Sequence, residues 1–160
     1  WAASTPWQYF TDHQEPELAD AVREGRRNEF AEHGWSADEV PDPQDSATVE
    51  ASTLDWAEVE KDPHAAMLGW YRDLIALRRT HPELTDPRLD AVRVEFDADA
   101  EWVVMHRGPF RVVANLAATA QAVPLDQPVS EVLLAWAGAD PQAAAVLLDA
   151  ESAAVVTVHG

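Results

Sequence analysis

The sequence lacks cysteine entirely, and it holds one lysine and six glycines among 160 residues. Without cysteine the chain has no disulfide framework, thiolate zinc site or cysteine nucleophile, and it is compatible with a reducing cytoplasm, where we expect it. Six dispersed glycines build neither the phosphate-cradling loop of nucleotide-binding proteins nor the Gly-x-Ser-x-Gly elbow of many hydrolases. No run of about 18 apolar residues is present to span a bilayer.

Basic side chains are outnumbered, since 11 Lys plus Arg stand against 29 Asp plus Glu and the formal charge is −18. A surface this negative repels nucleic-acid phosphates and anionic lipids, so we expect neither a nucleic-acid partner nor a membrane partner. The apolar fraction of 47% is ordinary for a folded protein, which favours a hydrated acidic surface over disorder. The length suits one or two domains.

The polar residues form no recognisable catalytic or metal-binding motif. Six histidines occur without His-Glu-x-x-His or His-x-His spacing, so the sequence predicts no metal site, and no cofactor is expected. Carboxylates are so numerous that no pair stands out as a general acid and base, because those roles require differently shifted pKa values.

Helical signals are strong in the first half of the chain. Residues 16–33 begin with Pro16 in the first helical turn and are followed by Gly34, which is suited to cap the C-terminus. Three apolar residues of this helix are expected to face the core: Leu18, Val22 and Phe30. Residues 36–62 are rich in proline and aspartate and predict a long loop that contains a short helix over 46–51.

The clearest predicted element is a helix over residues 63–80. Asp62 suits its N-cap, Pro63 suits its first position, and His81-Pro82 stops it. Its apolar residues recur at helical spacing and therefore share one face: Met67, Trp70, Tyr71, Leu74, Ile75 and Leu77. We expect this face to lean against a larger partner.

From Val92 onward the apolar period changes to two, which is typical of strands. Six further strands are predicted at 101–107, 110–116, 119–125, 129–136, 143–148 and 153–159. Short strands in succession, without helices between them, imply antiparallel pairing in a small sandwich or barrel. The fold class is thus predicted to be α+β, with the helices preceding a β-module.

The aromatic side chains are the residues that say most about function. We expect Trp70, Trp102 and Trp136 to pack in the interior, because they lie on a helix face or in strands. Residues 1–13 have no helical or strand period and combine aromatic with polar side chains, as a ligand cleft requires. This loop therefore holds our candidate binding residues: Trp7, Tyr9, Phe10, Asp12 and His13.

Four stretches of the chain together resemble one family: WAASTPWQYFTDH at the start, EGRRNEF in the first helix, VPDPQDSATVEASTLDW in the loop and WYRDLIALRRTHPEL in the long helix. They are similar to the C-terminal part of the maltooligosyltrehalose trehalohydrolases, which are alpha-amylase family glycoside hydrolases. The resemblance covers nearly the whole chain, although within the β-module only RVVANLA is typical of the family.

The resemblance implies a TIM barrel that carries the active site and is followed by an antiparallel β-sandwich domain. Residues 1–84 would be the end of the barrel, with the loop after its final strand, helix 16–33, the long loop and the last barrel helix at 63–80. Residues 88–160 would be the C-terminal sandwich. The start of the chain would then be a cut edge, and the barrel that precedes it would be the missing partner.

The implied reaction is hydrolysis of the alpha-1,4 bond next to the terminal trehalose of maltooligosyltrehalose, which releases trehalose. The catalytic carboxylates of the family would precede Trp1, so no catalytic residue is carried over. We expect this chain alone to be inactive. The candidate residues of the opening loop would border the cleft and contact maltooligosyltrehalose or maltooligosaccharide.

Three alternatives stay open. The chain could belong to another alpha-amylase family enzyme, such as a branching enzyme or trehalose synthase, although the opening loop argues against this. It could be a free-standing carbohydrate-binding module with Trp102 or Trp136 exposed on a platform, although the amphipathic helix at 63–80 is large for an appendage. It could also be a structural interaction domain in which every aromatic residue is buried.

Overall fold

The computed structural model describes residues 1–159. They form two compact units, of which the first spans Trp1–Leu68 and the second begins at Gly69. No helix within this described range is both long and apolar enough to cross a membrane. The domain division expected from the sequence, between residues 84 and 88, stays a prediction.

The first unit is built of helices joined by loops. Its elements are α1 at Pro16–Ala31, α2 at Ser46–Ala51, a 3-10 helix at Trp56–Glu60 and the beginning of α3, a helix that runs over His64–Thr80. The helices predicted over 16–33 and 46–51 are confirmed, and local capping explains their ends. The Asp45 carboxylate accepts a hydrogen bond from the N–H of Ala47, and Gly34 adopts a φ of +85° after α1.

Helix α1 buries only part of the apolar face expected from the sequence. Leu18 is 45% exposed, so the expectation that it faces the core is wrong, and its neighbour Ala19 is buried instead. The helix is tied to the loop further along, where Arg23 Nε lies 3.0 and 2.9 Å from the two carboxylate oxygens of Asp42, and Leu18 in its first turn stays open. The other two expected core residues are half-buried: Val22 and Phe30.

Helix α3 confirms the element predicted over 63–80, but its apolar residues divide into two stripes. In the second unit, Trp70 packs on Trp136 with ring centroids 5.7 Å apart, and two leucines on the same side line a groove on the sheet: Leu74 and Leu77. Tyr71 and Ile75 are 56% and 48% exposed. Only one edge of the predicted apolar face is therefore covered within the second unit.

The second unit consists mainly of eight strands in two antiparallel sheets. The strands are β1 Val92–Asp97, β2 Trp102–Arg107, β3 Phe110–Asn115, β4 Gln121–Pro124, β5 Val129–Ala135, β6 Ala139–Gln142, β7 Ala145–Leu148 and β8 Ser152–Val158. One sheet has the order β1-β2-β3-β8-β5, and the other has the order β4-β7-β6. Every pair is antiparallel, as predicted.

The two sheets share one apolar core. Val104, Val113 and Val156 of the larger sheet and Val146 and Leu148 of the smaller sheet are all fully buried in it. The predicted antiparallel β-sandwich is confirmed by this shared core. The three tryptophans that were expected to pack inside are half-buried, since Trp102 contacts the core cluster and the other two contact each other.

Strand β6 was not predicted from the sequence. It contains Asp140 and Pro141, which by themselves indicate a turn. In the three-stranded sheet β6 lies at an edge, beside the central strand β7. An edge strand tolerates proline because one of its sides has no ladder partner for the missing N–H to bond. The strand therefore depends on its position in the sheet and not on its own residues.

Strand β1 turns its polar residues toward the core side of the larger sheet. Arg93 stands directly opposite His106 of β2, and its Nη2 lies 2.9 Å from the imidazole Nδ1. The apolar residues Val94 and Phe96 are 53% and 71% exposed. Apolar and polar residues alternate along β1 as the sequence predicts, but the apolar residues lie on the face of the strand that points away from the core.

A charge cluster surrounds His106, which is only 6% exposed. Because arginine can only donate, the imidazole Nδ1 accepts from Arg93 and the proton resides on Nε2, which lies 3.3 Å from Oε2 of Glu95. Arg111 and Asp126 face the same ring from β3 and from the loop after β4. A second proton on the ring would point Nδ1–H at a guanidinium, so the geometry favours neutral His106.

We expect His106→Leu to reduce the pH dependence of stability between pH 7 and 5. Burial, and then the charges of Arg93 and Arg111, lower the pKa of His106 below its ordinary value of 6.5. As the pH falls, the unfolded chain therefore protonates His106 before the folded chain does. The contribution of neutral His106 to the free energy of unfolding is complete above about pH 6.5 and is lost as the pH drops toward the folded-state pKa. Urea unfolding at the two pH values measures the effect, with His33→Leu at an exposed site as the control. Equal pH dependence in both variants would refute the assignment.

Candidate functional site

The opening segment is held along the first unit by contacts to distant residues. The Thr11 N–H donates to the Pro43 carbonyl at 2.7 Å, and the Gln8 N–H donates to the Ser52 hydroxyl at 3.1 Å. At the start of the chain, the Trp1 ring packs on a second tryptophan with centroids 4.8 Å apart: Trp56. The segment is thus ordered by tertiary bonds although it has no secondary structure of its own.

One side of this segment forms a cleft of about 360 Å³ with α1 and the loop that follows it. From the opening segment, Trp7, Gln8 and Tyr9 line the cleft. The opposite wall contains six residues: Arg26, Phe30, Trp35, Glu39, Val40 and Pro41. This volume lies at the lower end of the range of small-molecule sites, about 300 to 1,000 Å³, which suits a ligand of one or two rings.

The end of α1 positions the aromatic part of the opposite wall. After Gly34 the chain turns back, and the Trp35 N–H donates to the Phe30 carbonyl at 3.2 Å. This places the two rings edge to face, with centroids 5.3 Å apart and an angle of 64° between their planes. Trp35 nevertheless stays 50% exposed, so part of its indole ring surface is available to a ligand.

Arg26 connects the two walls. Its guanidinium carbon lies 4.4 Å from the centroid of Phe30 and 5.2 Å from the centroid of Tyr9, both within the range of cation–π contacts. Its Nη1 donates to the Glu29 carboxylate at 2.7 Å. The guanidinium is therefore fixed in orientation, with donors left for another acceptor.

Glu39 supplies an anionic acceptor to the cleft. Its Oε2 accepts from the N–H of Ser36 at 2.8 Å and from the Ser36 hydroxyl at 2.9 Å. The backbone bond, followed by the hydroxyl bond, lowers the pKa of Glu39 below its ordinary value. The carboxylate is therefore ionised at neutral pH, and both of these bonds use one oxygen, so Oε1 remains as an acceptor for a ligand.

The structure separates the candidate residues of the opening loop. Trp7 and Tyr9 line the cleft, and they are 82% and 40% exposed. Phe10, Asp12 and His13 lie outside it; Phe10 is 44% exposed, Asp12 accepts a bond from the Gln14 side chain, and the His13 backbone donates to Gln44. The sequence predicted two of the cleft residues that come from the opening loop. The residues from α1 and the loop after it were not predicted, because no local sequence pattern connects them with the opening loop.

No group of three or more His, Asp or Glu side chains comes together as a metal site anywhere in residues 1–159. The cleft itself contributes one carboxylate and one guanidinium among its aromatic residues. Its chemistry is therefore that of recognition, with rings for stacking and charged groups for hydrogen bonding.

The chain is similar to one family model and to several curated proteins that share one name. A family described as a domain of unknown function (DUF3459) matches residues 87–155. A protein of Mycobacterium tuberculosis named malto-oligosyltrehalose trehalohydrolase is 48% identical over 136 residues, which is 85% of this chain and 23% of the relative. A protein of the same name from Arthrobacter ramosus is 46% identical over 161 residues, which is 99% of this chain and 26% of the relative. The chain spans about a quarter of the length of these curated relatives.

Solved structures agree with the fold. A Salmonella typhimurium protein, provisionally named an alpha amylase, is 30% identical, with a TM-score of 0.76 over 99% of this chain and 26% of its own. A trehalulose synthase variant is 19% identical, with a TM-score of 0.57 over 97% of this chain and 34% of its own, and shows the fold alone. The similarity to trehalohydrolases seen in the four sequence stretches is confirmed by the curated relatives.

Proposed function

We infer that this chain, a homologue of the malto-oligosyltrehalose trehalohydrolases along most of its own length, is the part of a glycoside hydrolase that borders the substrate. The identity of 46 to 48% to proteins of that name carries the proposal. The reaction is hydrolysis of the alpha-1,4 bond next to the terminal trehalose of maltooligosyltrehalose, with release of trehalose. The relatives' shared name favours this reaction over those of branching enzymes and trehalose synthases.

The catalytic carboxyl groups are proposed to lie outside this chain, on a TIM barrel. Glycoside hydrolysis needs a general acid that keeps its proton near neutral pH, and this requires a raised pKa. Within residues 1–159, four carboxyl groups have clearly shifted pKa values, and each is lowered by a hydrogen bond from a backbone N–H or an arginine: Glu39, Glu58, Asp86 and Asp126. Such groups are suited to accept hydrogen bonds and not to donate a proton.

The cytoplasmic location of the protein stays a prediction. The first part of the chain, residues 1–84, is proposed to complete the TIM barrel. The exposed stripe of Tyr71 and Ile75 on α3 supports this, because large apolar side chains on a helix normally contact another element. Residues 88–160 would follow as the sandwich domain. In this arrangement the opening loop comes directly after the last strand of the barrel, where active sites of such barrels are built.

The wall of the substrate site is proposed to contain the five candidates of the opening loop. Trp7 and Tyr9 would stack on sugar rings, since both are aromatic, line the cleft and are 82% and 40% exposed. Phe10, Asp12 and His13 would contact substrate beyond the cleft, through ring stacking or through hydrogen bonds to hydroxyls. The substrate is maltooligosyltrehalose, or a maltooligosaccharide that resembles it.

A chimera tests the proposed function. In it, this chain replaces the matching segment of the Mycobacterium tuberculosis relative, and trehalose release from maltooligosyltrehalose is measured. We expect the chimera to hydrolyse the substrate, the relative without the segment to be inactive, and the 160-residue chain alone to be inactive because it lacks the acid and the nucleophile. Hydrolysis by the chain alone would overturn the assignment of catalysis to another segment.

The same chimera addresses individual residues of the wall. Tyr9→Ala and Asp12→Ala should raise KM or slow turnover, whereas Gln142→Glu, at an exposed site of the sandwich, should leave both unchanged. If a folded chimera released no trehalose while the intact relative did, the reaction assigned to this chain would be wrong. Unchanged kinetics in the Tyr9 and Asp12 variants would remove these two residues from the wall.

A further inference from the structure

We propose that the cleft between the opening segment and the end of α1 is a subsite for one glucosyl unit of an α-linked oligosaccharide, with Trp35 as its stacking platform and Glu39 and Arg26 as its polar contacts. This inference rests on the proposed function for the identity of the sugar. It goes beyond that function because three residues of α1 and the following loop, none of them in the predicted wall, become determinants of sugar binding.

Aromatic side chains from two separate segments line the cleft. Trp7 and Tyr9 stand on one wall and Trp35 on the other, and all three expose 40% or more of their surface. A pyranose ring has apolar C–H faces that pack on such rings, and water leaves both surfaces when they meet. Trp35 is held from behind by Phe30, so its orientation is set before a ligand binds.

The polar groups of the same cleft are oriented in advance by contacts within the chain. Arg26 lies between two aromatic rings, and Glu39 is tied to Ser36 through one oxygen. A guanidinium donor and a carboxylate acceptor in one cleft match vicinal hydroxyls, each of which both donates and accepts. Groups that are fixed before binding lose little conformational entropy when the ligand arrives.

A neutral ligand suits the electrostatics of the cleft. Its two charged groups have opposite signs, so the cleft does not select a net charge, unlike the chain as a whole at −18. A cationic peptide would be attracted by Glu39 but repelled by Arg26. The arrangement therefore favours a sugar over a basic peptide.

Isothermal titration calorimetry of the 160-residue chain with maltotetraose tests the subsite. We expect saturable binding with a Kd of about 1 mM, the affinity class of a small contact area. Trp35→Ala should weaken binding by about tenfold or more, equivalent to about 1.4 kcal/mol. Glu39→Gln should weaken it several-fold while its amide oxygen keeps the Ser36 contact, and Trp35→Phe should retain most of the affinity because a ring remains.

Leu54→Ala is the control, since Leu54 is a 40% exposed apolar residue of the same unit that lies outside the cleft. This variant should bind maltotetraose as the unchanged chain does. Binding that is insensitive to Trp35 and Glu39, or binding of tetralysine in place of maltotetraose, would overturn the subsite. If Trp35→Ala unfolds, as circular dichroism would show, the Phe and Gln variants decide the outcome.

The two proposals can fail separately. If the chimera releases trehalose but its KM is unaffected by Trp35→Ala, and the isolated chain does not bind maltotetraose, the subsite is wrong and the proposed function stands. If the isolated chain binds maltotetraose through Trp35 while a folded chimera releases no trehalose, the subsite stands and the trehalose-releasing reaction is wrong.

Discussion

Asn115→Asp is expected to lower the melting temperature of the β-sandwich by more than about 10 °C. Asn115 is fully buried, and its Nδ2 donates to the carbonyls of Thr119 and Asp149, both at 2.8 Å. Its Oδ1 accepts from the Ala117 N–H at 3.0 Å and from the Gln121 side chain at 2.6 Å. Aspartate at this position would turn a donor into an acceptor and place a buried carboxylate against carbonyl oxygens.

The magnitude follows from the lost hydrogen bonds and the desolvation of the charge. Leaving a buried polar group unpaired costs about 1 to 3 kcal/mol, and a buried charge costs more, so we expect a loss of roughly 3 kcal/mol. For a unit of this size each kcal/mol lowers the melting temperature by about 4 to 8 °C. Differential scanning calorimetry of the 160-residue chain measures the change.

Gln142→Glu provides the control, because it makes the same change of amide to carboxylate at an exposed site of the same unit. We expect it to change stability by less than about 0.5 kcal/mol. If the two variants melted at the same temperature, the network around Asn115 would not contribute to the stability of the sandwich.

Asp126→Ala is expected to cost about 2 to 3 kcal/mol of unfolding free energy. Its carboxylate accepts from Nε and Nη2 of Arg111 at 2.8 and 3.1 Å, and the Arg111 side chain is only 5% exposed. Removing one partner of a buried pair costs about 3 to 5 kcal/mol. The expected loss lies at or below the lower end of this range because the Asp126 side chain is 32% exposed and Arg111 also donates to the carbonyls of Gly108 and Phe110.

Two further variants separate the ion pair from general disruption. Arg88→Ala breaks a salt bridge to Asp86 in which the arginine is 71% exposed, and it should cost less than about 1 kcal/mol. Arg111→Met combined with Asp126→Ala should be more stable than Asp126→Ala alone, because the unpaired buried charge is then gone. Urea unfolding compares the four proteins. A double variant less stable than Asp126→Ala would contradict the buried-charge explanation.

Helices and most strands of this protein could be predicted because their signals are local. Asp45 caps α2 and Gly34 follows α1 through contacts within a few residues, and the period of the apolar residues changes at Val92 where the sheet begins. The opening loop was identified as a candidate binding segment by the same kind of argument, since it combines aromatic with polar residues.

The features that could not be predicted all depend on contacts between distant segments. Pro141 lies in a strand because β6 is at a sheet edge, and Val94 is exposed because Arg93 reaches His106 on the next strand. Helical period alone does not tell which edge of the apolar face of α3 is covered by other residues. It therefore assigned Tyr71 and Trp70 to one apolar face, although Tyr71 is exposed and Trp70 packs on another ring.

For the candidate site, the residues by themselves determined the relationship to the trehalohydrolases and the aromatic character of the opening loop. Only the tertiary structure decided that Trp7 and Tyr9 line one cleft together with Trp35 and Glu39, while Phe10, Asp12 and His13 lie outside it. The physical reason is distance along the chain. Caps and periods act within one or two turns, whereas the two walls are brought together by contacts such as that of Arg26, which lies within α1, with Tyr9 of the opening segment.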